Sequence, residues 1–198
     1  MNIYTEKTFS LPELVGISAK SVAEHLKLYS GYVKNANLIL EKIKEYEADG
    51  DKHSYAISEL QRRFSFEFNG MRNHEYYFQS LEGGSAPLVA ETTLRQEIEK
   101  EWGSFDAWLT RFKNIASTRG VGWAILYYDP ISKRLTTAWI DEQHLGQLNG
   151  LHYIVGIDMW EHSYYMDYGT DKKKYIDAFF ANLNWTIAEQ NLLTAMKK

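Results

Sequence analysis

The eight residues from Asp158 to Tyr165, DMWEHSYY, constrain this chain more than any other segment. An aspartate and a histidine four residues apart can reach one metal ion, either from successive helical turns or across a strand-to-helix corner. The aromatic side chains of the stretch would separate such a centre from bulk water, and Glu161 is free to face elsewhere. The spacing alone fits a surface pair at i and i+4 equally well, so the rest of the chain has to decide.

Composition restricts what could hold a metal. The chain has 198 residues, no cysteine and a formal net charge of −4. The absence of cysteine excludes disulfides, thiolate metal sites, iron–sulfur clusters and a cysteine nucleophile, which leaves His, Asp, Glu and carbonyl oxygen as ligands. The acidic balance without a basic block argues against nucleic acid as a partner. No apolar run approaches a membrane span and no signal-peptide layout is present, so we expect a soluble, cytoplasmic protein with no membrane partner.

An apolar periodicity of three and four residues predicts a long first helix. Residues 1–17 have the character of an extended arm. Ser18 can cap a helix that runs from Ala19 to about Glu47. His25 and Tyr32 fall on its apolar face together with aliphatic residues and a second tyrosine.

A second long helix is predicted at about residues 53–81, after a turn at 48–51. Its apolar side carries His74. The glycine-rich stretch 82–87 ends this helix and is the best candidate for a domain boundary. We therefore expect an arm and helical hairpin domain over residues 1–84, whose facing sides carry two histidines.

Residues 85–198 have the pattern of an α+β domain. The fold class that we expect for the whole chain is α+β, an N-terminal antiparallel helical hairpin followed by a domain with a small three-stranded antiparallel sheet flanked by helices. The predicted elements of the second domain are helices at about 88–101 and 104–117, strands at 123–128, 135–140 and 153–157, and helices at about 173–181 and 184–197.

Four residues from distant parts of the sequence could form one metal site. His25 and His74 face each other across the hairpin, and burying two imidazoles without partners is costly, although a single histidine on an apolar face is more often a core residue. Asp158 and His162 complete a set of three imidazoles and one carboxylate. This set suits a redox-active Mn or Fe ion with an open position and also suits hydrolytic Zn, and spacing does not choose between them.

Four motifs resemble those of the iron/manganese superoxide dismutases. Residues 73–78, NHEYYF, resemble the segment around the family's second ligand, and residues 120–123, GVGW, resemble its glycine-tryptophan start of a strand. The stretch DMWEHSYY is the family's signature almost unaltered, and residues 180–185, FANLNW, resemble its C-terminal helix motif. The resemblance runs in order over nearly the whole chain, from about Ile17 to Leu192.

This resemblance implies one Mn or Fe ion with solvent as a fifth ligand, and the dismutation of superoxide. One superoxide would reduce the trivalent metal and leave as O2, and a second would oxidise the divalent metal and leave as hydrogen peroxide after taking two protons. The implied protein ligands are His25, His74, Asp158 and His162. The aromatic residues expected to limit access to the metal are Trp123, Trp160 and Tyr76.

The sequence around the expected gateway tyrosine departs from the family pattern. Members usually have eight residues from the first ligand to this tyrosine, whereas His25 and Tyr32 are seven apart. Tyr32 remains the expected catalytic residue at the substrate funnel, because seven residues on a straight helix nearly restore the same face. Lys172 stands where the family typically has an anion-guiding arginine.

The resemblance leaves open which side chain hydrogen-bonds the metal-bound solvent. Iron members often have a glutamine four residues before the second ligand, where this chain has Gly70, as in manganese members. The other source is the loop after the second strand, which offers Gln143 and His144, and we favour His144. Gly156 resembles manganese members, whereas a histidine near the solvent is typical of iron or metal-flexible members. The choice between Mn and Fe therefore stays open.

The resemblance also implies an assembly, which we expect to be a homodimer, with a tetramer as the other open state. Glu161 would reach His162 of the other subunit across the two-fold axis, and Tyr165 would lie at the same interface. Two other classes stay open: a metal-free relative acting as a structural or binding module, and a mononuclear iron oxygenase or a hydrolase. Retention of all four ligands argues against the first, and the need for more open positions argues against an oxygenase.

Overall fold

Two long antiparallel helices form the first part of the chain, for which the computed structural model describes residues 3–197. Helix α1 (Ala19–Tyr46) begins after Ser18, whose hydroxyl accepts a hydrogen bond from the backbone N–H of Ser21, as predicted. Helix α2 (Gly50–Gln79) follows after one short 3-10 turn, Glu47–Asp49. Gly50 has helical dihedral angles, φ −61° and ψ −36°. The predicted turn at 48–51 was therefore wrong in extent, because α2 already includes its last two residues.

The arm before α1 lies along the hairpin. Its backbone N–H at Lys7 donates to the hydroxyl of Tyr29 at 2.9 Å, and its N–H at Tyr4 donates to the side-chain oxygen of Asn37 at 2.9 Å. These bonds satisfy backbone groups of a segment that has no regular structure there. The arm thus covers one side of α1.

Two shorter helices, α3 (Thr93–Trp102) and α4 (Phe105–Ala116), lead to the sheet. Helix α3 begins five residues later than its predicted start at 88. The hydroxyl of Thr92 caps it, and the carboxylate of Glu189 accepts from the N–H groups of Thr93 and Leu94 at 3.0 and 2.7 Å. This second cap comes from a distant part of the chain, so local sequence could not reveal the starting point.

The sheet has three antiparallel strands in the order β2-β1-β3. These are β1 (Gly122–Asp129), β2 (Arg134–Asp141) and β3 (His152–Asp158). All but the last residue of the central strand β1 are buried. In the register of the sheet, Trp123 lies opposite Asp158, so the start of β1 and the end of β3 lie side by side at the same end of the sheet.

Three helices complete the chain: α5 (Glu161–Tyr168), α6 (Lys172–Asn182) and α7 (Trp185–Ala195). Helix α5 packs against α1, and β3 packs against both α2 and α7. The expected fold class is confirmed, whereas the division of the chain at residues 84 and 85 stays a prediction. Within the described range, no helix is long and apolar enough to cross a membrane.

Candidate metal centre

Four side chains from four different elements converge between the hairpin and the sheet. They lie on α1, on α2, at the last position of β3 and in the first turn of α5. Each offers one nitrogen or oxygen ligand atom, and these atoms all lie within 4.8 Å of one another. The corner between β3 and α5 brings the last two side chains together. The four residues are His25, His74, Asp158 and His162.

Asp158 lies at the centre of the cluster. Its Oδ2 is 3.1 Å from the Nε2 atoms of His25 and His162 and 3.5 Å from Nε2 of His74. Its Oδ1 accepts a hydrogen bond from the backbone N–H of Trp160 at 2.8 Å, which fixes the carboxylate plane. One oxygen therefore binds the backbone of the corner before α5, and the other faces three imidazoles.

His74 carries a ring nitrogen without a partner. Its Nδ1 lies 2.6 Å from the carbonyl oxygen of Gly70, and because a carbonyl only accepts, Nδ1 carries the proton. Its Nε2 is buried and has no hydrogen-bond partner within residues 3–197. An unpaired lone pair buried in this way costs free energy unless something binds it. The mixed nitrogen and oxygen donor set fits a divalent or trivalent transition-metal ion.

Burial sets the protonation of the cluster. Desolvation lowers the pKa of His25 below its ordinary value and lowers the pKa of His74 to about 3. Burial alone would raise the pKa of Asp158, but the charge and hydrogen bonds of His162 and His25 outweigh it, and the pKa lies below its ordinary value. His25 and His74 are thus neutral and Asp158 is ionised at neutral pH, which are the forms that bind metal.

Aromatic rings surround the cluster. The ring of Trp123 lies 5.2 Å from that of His74, and the ring of Trp160 stacks on His162 at 5.9 Å. The expected role of Tyr76 stays a prediction: its ring stacks on Tyr153 at 4.4 Å, and within residues 3–197 it forms no ring pair with a histidine of the cluster. The adjacent residue Tyr77 contacts the cluster, with its ring 5.0 Å from that of His25. Tyr77 follows His74 by three positions and therefore shares its helix face, whereas Tyr76 does not.

A hydrogen-bonded chain leads from Trp123 to Tyr32. The indole N–H of Trp123 donates to Oε1 of Gln143 at 2.8 Å, and Nε2 of Gln143 donates to the hydroxyl of Tyr32 at 2.9 Å. Gln143 is completely buried. The ring of Tyr32 lies 5.0 Å from that of His74 and packs directly on Gly70, where a Cβ atom would come within 2.5 Å of it.

His144 lies outside this chain of hydrogen bonds. Its Nδ1 is 3.9 Å from the carboxylate of Glu142, and its ring packs edge-on against Phe66 at 5.6 Å. Among the described residues, no hydrogen bond links it to the cluster. The geometry thus favours Gln143 for the role that we assigned to His144 from the sequence.

Known proteins are similar to this chain in sequence over nearly its whole length. The profile of the iron/manganese superoxide dismutases, C-terminal domain, matches residues 90–191. A superoxide dismutase [Fe] from Aquifex aeolicus is 36% identical, with 93% of this chain and 88% of the relative covered. The chain belongs to the iron/manganese superoxide dismutases. This confirms the resemblance carried by the four motifs.

Relatives named for either metal occur in the family. A superoxide dismutase [Fe] from Cupriavidus metallidurans is 33% identical, with 93% of both chains covered. A superoxide dismutase [Mn] from Haloarcula marismortui is 35% identical, with 82% of this chain and 78% of the relative covered. Similarity alone therefore does not choose between Mn and Fe for this superoxide dismutase family member.

Helix α1 explains how this member of the superoxide dismutase family accommodates its short spacing. It is a continuous α-helix through both His25 and Tyr32. Seven residues advance the helix by two turns less about 20°. Tyr32 consequently lies on the same face as His25 and reaches Gln143 directly.

The cationic side chains that line the groove beside Tyr32 are not the one expected from the sequence, Lys172. The ammonium of Lys172 donates to the carbonyl oxygens of Thr118 and Gly120 at 3.3 and 3.0 Å, which ties it to the segment before β1. Lys27 and Arg63 instead line a surface groove of about 350 Å³ beside Tyr32. Arg63 was not among the residues expected from the sequence, although it lies eleven residues before His74, close to three helical turns, which could have indicated a shared face.

Proposed function

We propose that this chain catalyses the dismutation of superoxide to O2 and hydrogen peroxide at one Mn or Fe ion. The observation that carries the proposal is the cluster of three imidazoles and one carboxylate, of which all but His162 are buried, in a chain of this family. Within residues 3–197, Nε2 of His74 in this cluster has no hydrogen-bond partner. When bound, the ion supplies a one-electron couple that accepts an electron from one superoxide and returns it to the next. The residues that would hold it are His25, His74, Asp158 and His162.

Asp158 provides the negative charge of the site. Its carboxylate is completely buried, and its Oδ1 accepts a hydrogen bond from the backbone N–H of Trp160. A fixed anion at this position favours the higher charge state of whatever cation the three imidazoles hold. The imidazoles themselves add no charge when neutral, so the balance between the two oxidation states depends on Asp158.

We assign the handling of protons to Tyr32 and Gln143. The amide of Gln143 donates to the Tyr32 oxygen, so the phenol proton is free to point toward a bound anion. Tyr32 also lines the surface groove and therefore stands between solvent and the cluster. Gln143 is held at its other end by Trp123, so its amide cannot turn away. A gateway phenol that is fixed in this way can pass a proton to reduced superoxide.

We assign the hydrogen bond to solvent in the site to Gln143 and not to His144. Gln143 belongs to the chain of bonds around the cluster, and the ring of Tyr32 fills the space at Gly70 from which the glutamine of iron members would extend. Replacing Gln143 by Ala should lower turnover by about tenfold or more. His144→Ala is the matched control and should keep most of the activity. Equal losses in both variants would contradict this assignment.

Metal analysis combined with superoxide consumption tests the main proposal. Protein reconstituted separately with Mn and with Fe should hold about one ion per chain and consume superoxide with at least one of the two. His74→Ala should lose both metal and activity, whereas His53→Ala, which removes a histidine at the far end of the hairpin, should retain both. Full activity in His74→Ala would refute the site, and an inactive wild-type protein with either metal would refute the function.

We further propose a homodimer with α5 at its interface. Glu161 is exposed, and within residues 3–197 no hydrogen bond reaches the second ring nitrogen of His162. Glu161 of the other subunit would supply this partner and fix the tautomer of the ligand. Tyr165, whose surface is 58% exposed, would be covered in the same interface. We also propose a cytoplasmic location, which cell fractionation would test.

Sedimentation equilibrium tests the assembly. The wild-type protein should have twice the mass of the chain, or four times if two dimers associate. Glu161→Ala should weaken association and release metal, because each site depends on the other subunit. Glu47→Ala, which removes an exposed carboxylate at the opposite end of α1, is the control. A Glu161→Ala protein that remains dimeric and fully active would argue against the bridge.

A further inference from the structure

The backbone of Gln143 is held as firmly as its side chain. Its carbonyl oxygen accepts two hydrogen bonds, from the side-chain amides of Asn73 and Gln147, each at 3.2 Å. Since Trp123 and Tyr32 already bind the two ends of its side chain, every polar atom of that side chain has a partner. The residue is buried in a loop without regular structure, so these bonds decide which way it faces.

Gln147 forms the link between this loop and the sheet. Its Nε2 lies 3.2 Å from the Gln143 carbonyl and 3.4 Å from Oδ1 of Asn73, and its Oε1 accepts from the hydroxyl of Tyr127 at 2.6 Å. Tyr127 is almost completely buried on the central strand. The Gln143 carbonyl only accepts, so it requires the amide nitrogen of Gln147 on its side, and the Tyr127 phenol supports this orientation by donating to the amide oxygen. A chain of hydrogen bonds therefore runs from Tyr127 through Gln147 and Gln143 to Tyr32.

We propose that Gln147 is a positioning residue for the reaction, since it holds Gln143 in register with Trp123 and Tyr32. This inference rests on the proposed role of Gln143. Within residues 3–197, Gln147 forms no hydrogen bond to a metal ligand or to Tyr32, and its amide nitrogen reaches the Gln143 carbonyl and Asn73. Without its amide, the loop carbonyl keeps one donor, Asn73, and the glutamine side chain gains freedom to leave Tyr32. Tyr127 contributes to this positioning, because its hydroxyl holds the amide oxygen of Gln147.

Two variants separate positioning from simple packing. Gln147→Glu keeps the shape and the acceptor for Tyr127 but removes the N–H groups that reach Gln143 and Asn73. Tyr127→Phe removes the one hydrogen bond that holds the amide oxygen of Gln147, so the Gln147 side chain gains freedom to move. Leu148→Ala, in the same loop with its side chain exposed, is the matched control. If Gln147→Glu fails to fold, Tyr127→Phe alone carries the test.

The readout is the indole N–H of Trp123, which donates to Gln143. In protein loaded with Zn²⁺, which is diamagnetic and accepts imidazole and carboxylate ligands, this proton should give a resolved NMR signal, assigned by its loss in Trp123→Phe. In Gln147→Glu and Tyr127→Phe the signal should shift and lose protection from solvent exchange. Turnover of the Mn- or Fe-loaded variants should fall by about tenfold. Leu148→Ala should change neither.

An unchanged Trp123 signal together with unchanged turnover in both variants would overturn the proposal. Lower turnover with an unchanged Trp123 signal would also overturn it, because the loss would then not pass through Gln143. The NMR signal does not depend on turnover. An inactive wild-type protein would therefore refute the proposed function, while the NMR comparison would still decide whether Gln147 positions Gln143.

Discussion

At the scale of single residues, the site depends on a glycine, Gly70, which leaves room for a neighbouring ring. Gly70 lies in the middle of α2, where glycine costs about 1 kcal/mol relative to alanine. Its carbonyl accepts from His74, and the ring of Tyr32 occupies the volume of its missing Cβ. The helix therefore gives up stability at this position so that the gateway ring can approach the ligand.

Gly70→Ala should lower activity although alanine is the better helix former. The added methyl would lie 2.5 Å from the Tyr32 ring, which must move away from Gln143. Overpacking of this kind costs about 1–3 kcal/mol, which outweighs the gain of about 1 kcal/mol in helix propensity. We expect net destabilisation in urea unfolding and turnover reduced by about tenfold. Gly50→Ala, at a helical glycine with open space around it, is the control and should be neutral or stabilising.

Acid should destabilise the metal-free protein through its buried histidines. The folded-state pKa of His74 is about 3, below the ordinary value of 6.5, because burial disfavours the charged ring. The unfolded chain thus binds a proton that the folded chain does not, and stability falls as pH drops below about 6.5. His74 alone should cost about 2 kcal/mol by pH 5. The depressed pKa of Asp158 acts in the same direction at lower pH.

Urea unfolding between pH 8 and pH 5 measures this effect. The free energy of unfolding of metal-free protein should decrease across this interval, and His74→Asn should show a shallower decrease because it lacks one titrating ring. An equally steep pH dependence in His74→Asn would contradict the assignment of the effect to this residue.

The residues of the site differ in how far the sequence could specify them. The four clustered side chains follow from the D-x-x-x-H spacing and from two histidines on predicted inner faces, and the family motifs agree. The choice between Gln143 and His144 could not follow, because neighbouring residues in an irregular loop have no periodicity. Glu142 adopts φ 52°, and paired backbone bonds between Asp141 and Leu145 close the loop. This local geometry turns Gln143 inward.

At the scale of elements, the long helices and the strands are predictable, whereas the short helix α5 is not. Periodicity over more than twenty residues fixes α1 and α2, but eight residues in α5 with aromatic side chains on several sides carry no clear helical pattern. Helix α5 depends on the corner before it. The Ser163 hydroxyl lies 2.9 Å from the carbonyl of Asp158 and 2.7 Å from that of Trp160.

Ser163→Ala should loosen this corner and weaken metal binding. The buried hydroxyl bridges two carbonyl groups, and its loss should cost about 1–2 kcal/mol in unfolding. Because the corner sets the distance between Asp158 and His162, metal affinity should fall by about tenfold. Competition with a chelator measures the affinity. Ser58→Ala, at an exposed helical serine whose hydroxyl donates to the carbonyl of Ser54, should change both quantities little. Similar losses in the two variants would exclude a specific role for the corner.

At the scale of the whole molecule, the fold class was predictable because each part has its own hydrophobic period. The assembly of the metal-ligand cluster was less predictable, since it requires α1 and α5 to pack against each other and β3 to lie against α2. Periodicity identifies inner faces but gives no distance between them. The metal ligands thus join elements whose relative positions only tertiary packing determines.

The charge of the whole molecule opposes its proposed substrate, so any attraction must be local. With a net charge of −4, the chain as a whole repels an anion. Arg63 and Lys27 line the groove beside Tyr32, and Arg63 also lies over the ring of Phe66 at 3.8 Å. Arg63 is paired with the buried carboxylate of Glu67 at 2.8 Å, so its removal takes away one positive charge and leaves that carboxylate unpaired beside the groove. A unit charge about 6 Å from the path of superoxide contributes about 0.7 kcal/mol in water, which is a factor of about three in the encounter rate. Salt screens this attraction.

Turnover at low superoxide concentration should therefore fall as ionic strength rises. Arg63→Ala should lower the rate about threefold at low salt and flatten its salt dependence. Arg62→Ala is a strict control, because it removes the same charge one residue away, from an exposed side chain paired with Glu59 outside the groove. Both variants have the same net charge, so a difference between their rates would be due to the position of the charge and not to the total charge. If the two rates respond identically to salt, or if neither responds, guidance at the groove is excluded.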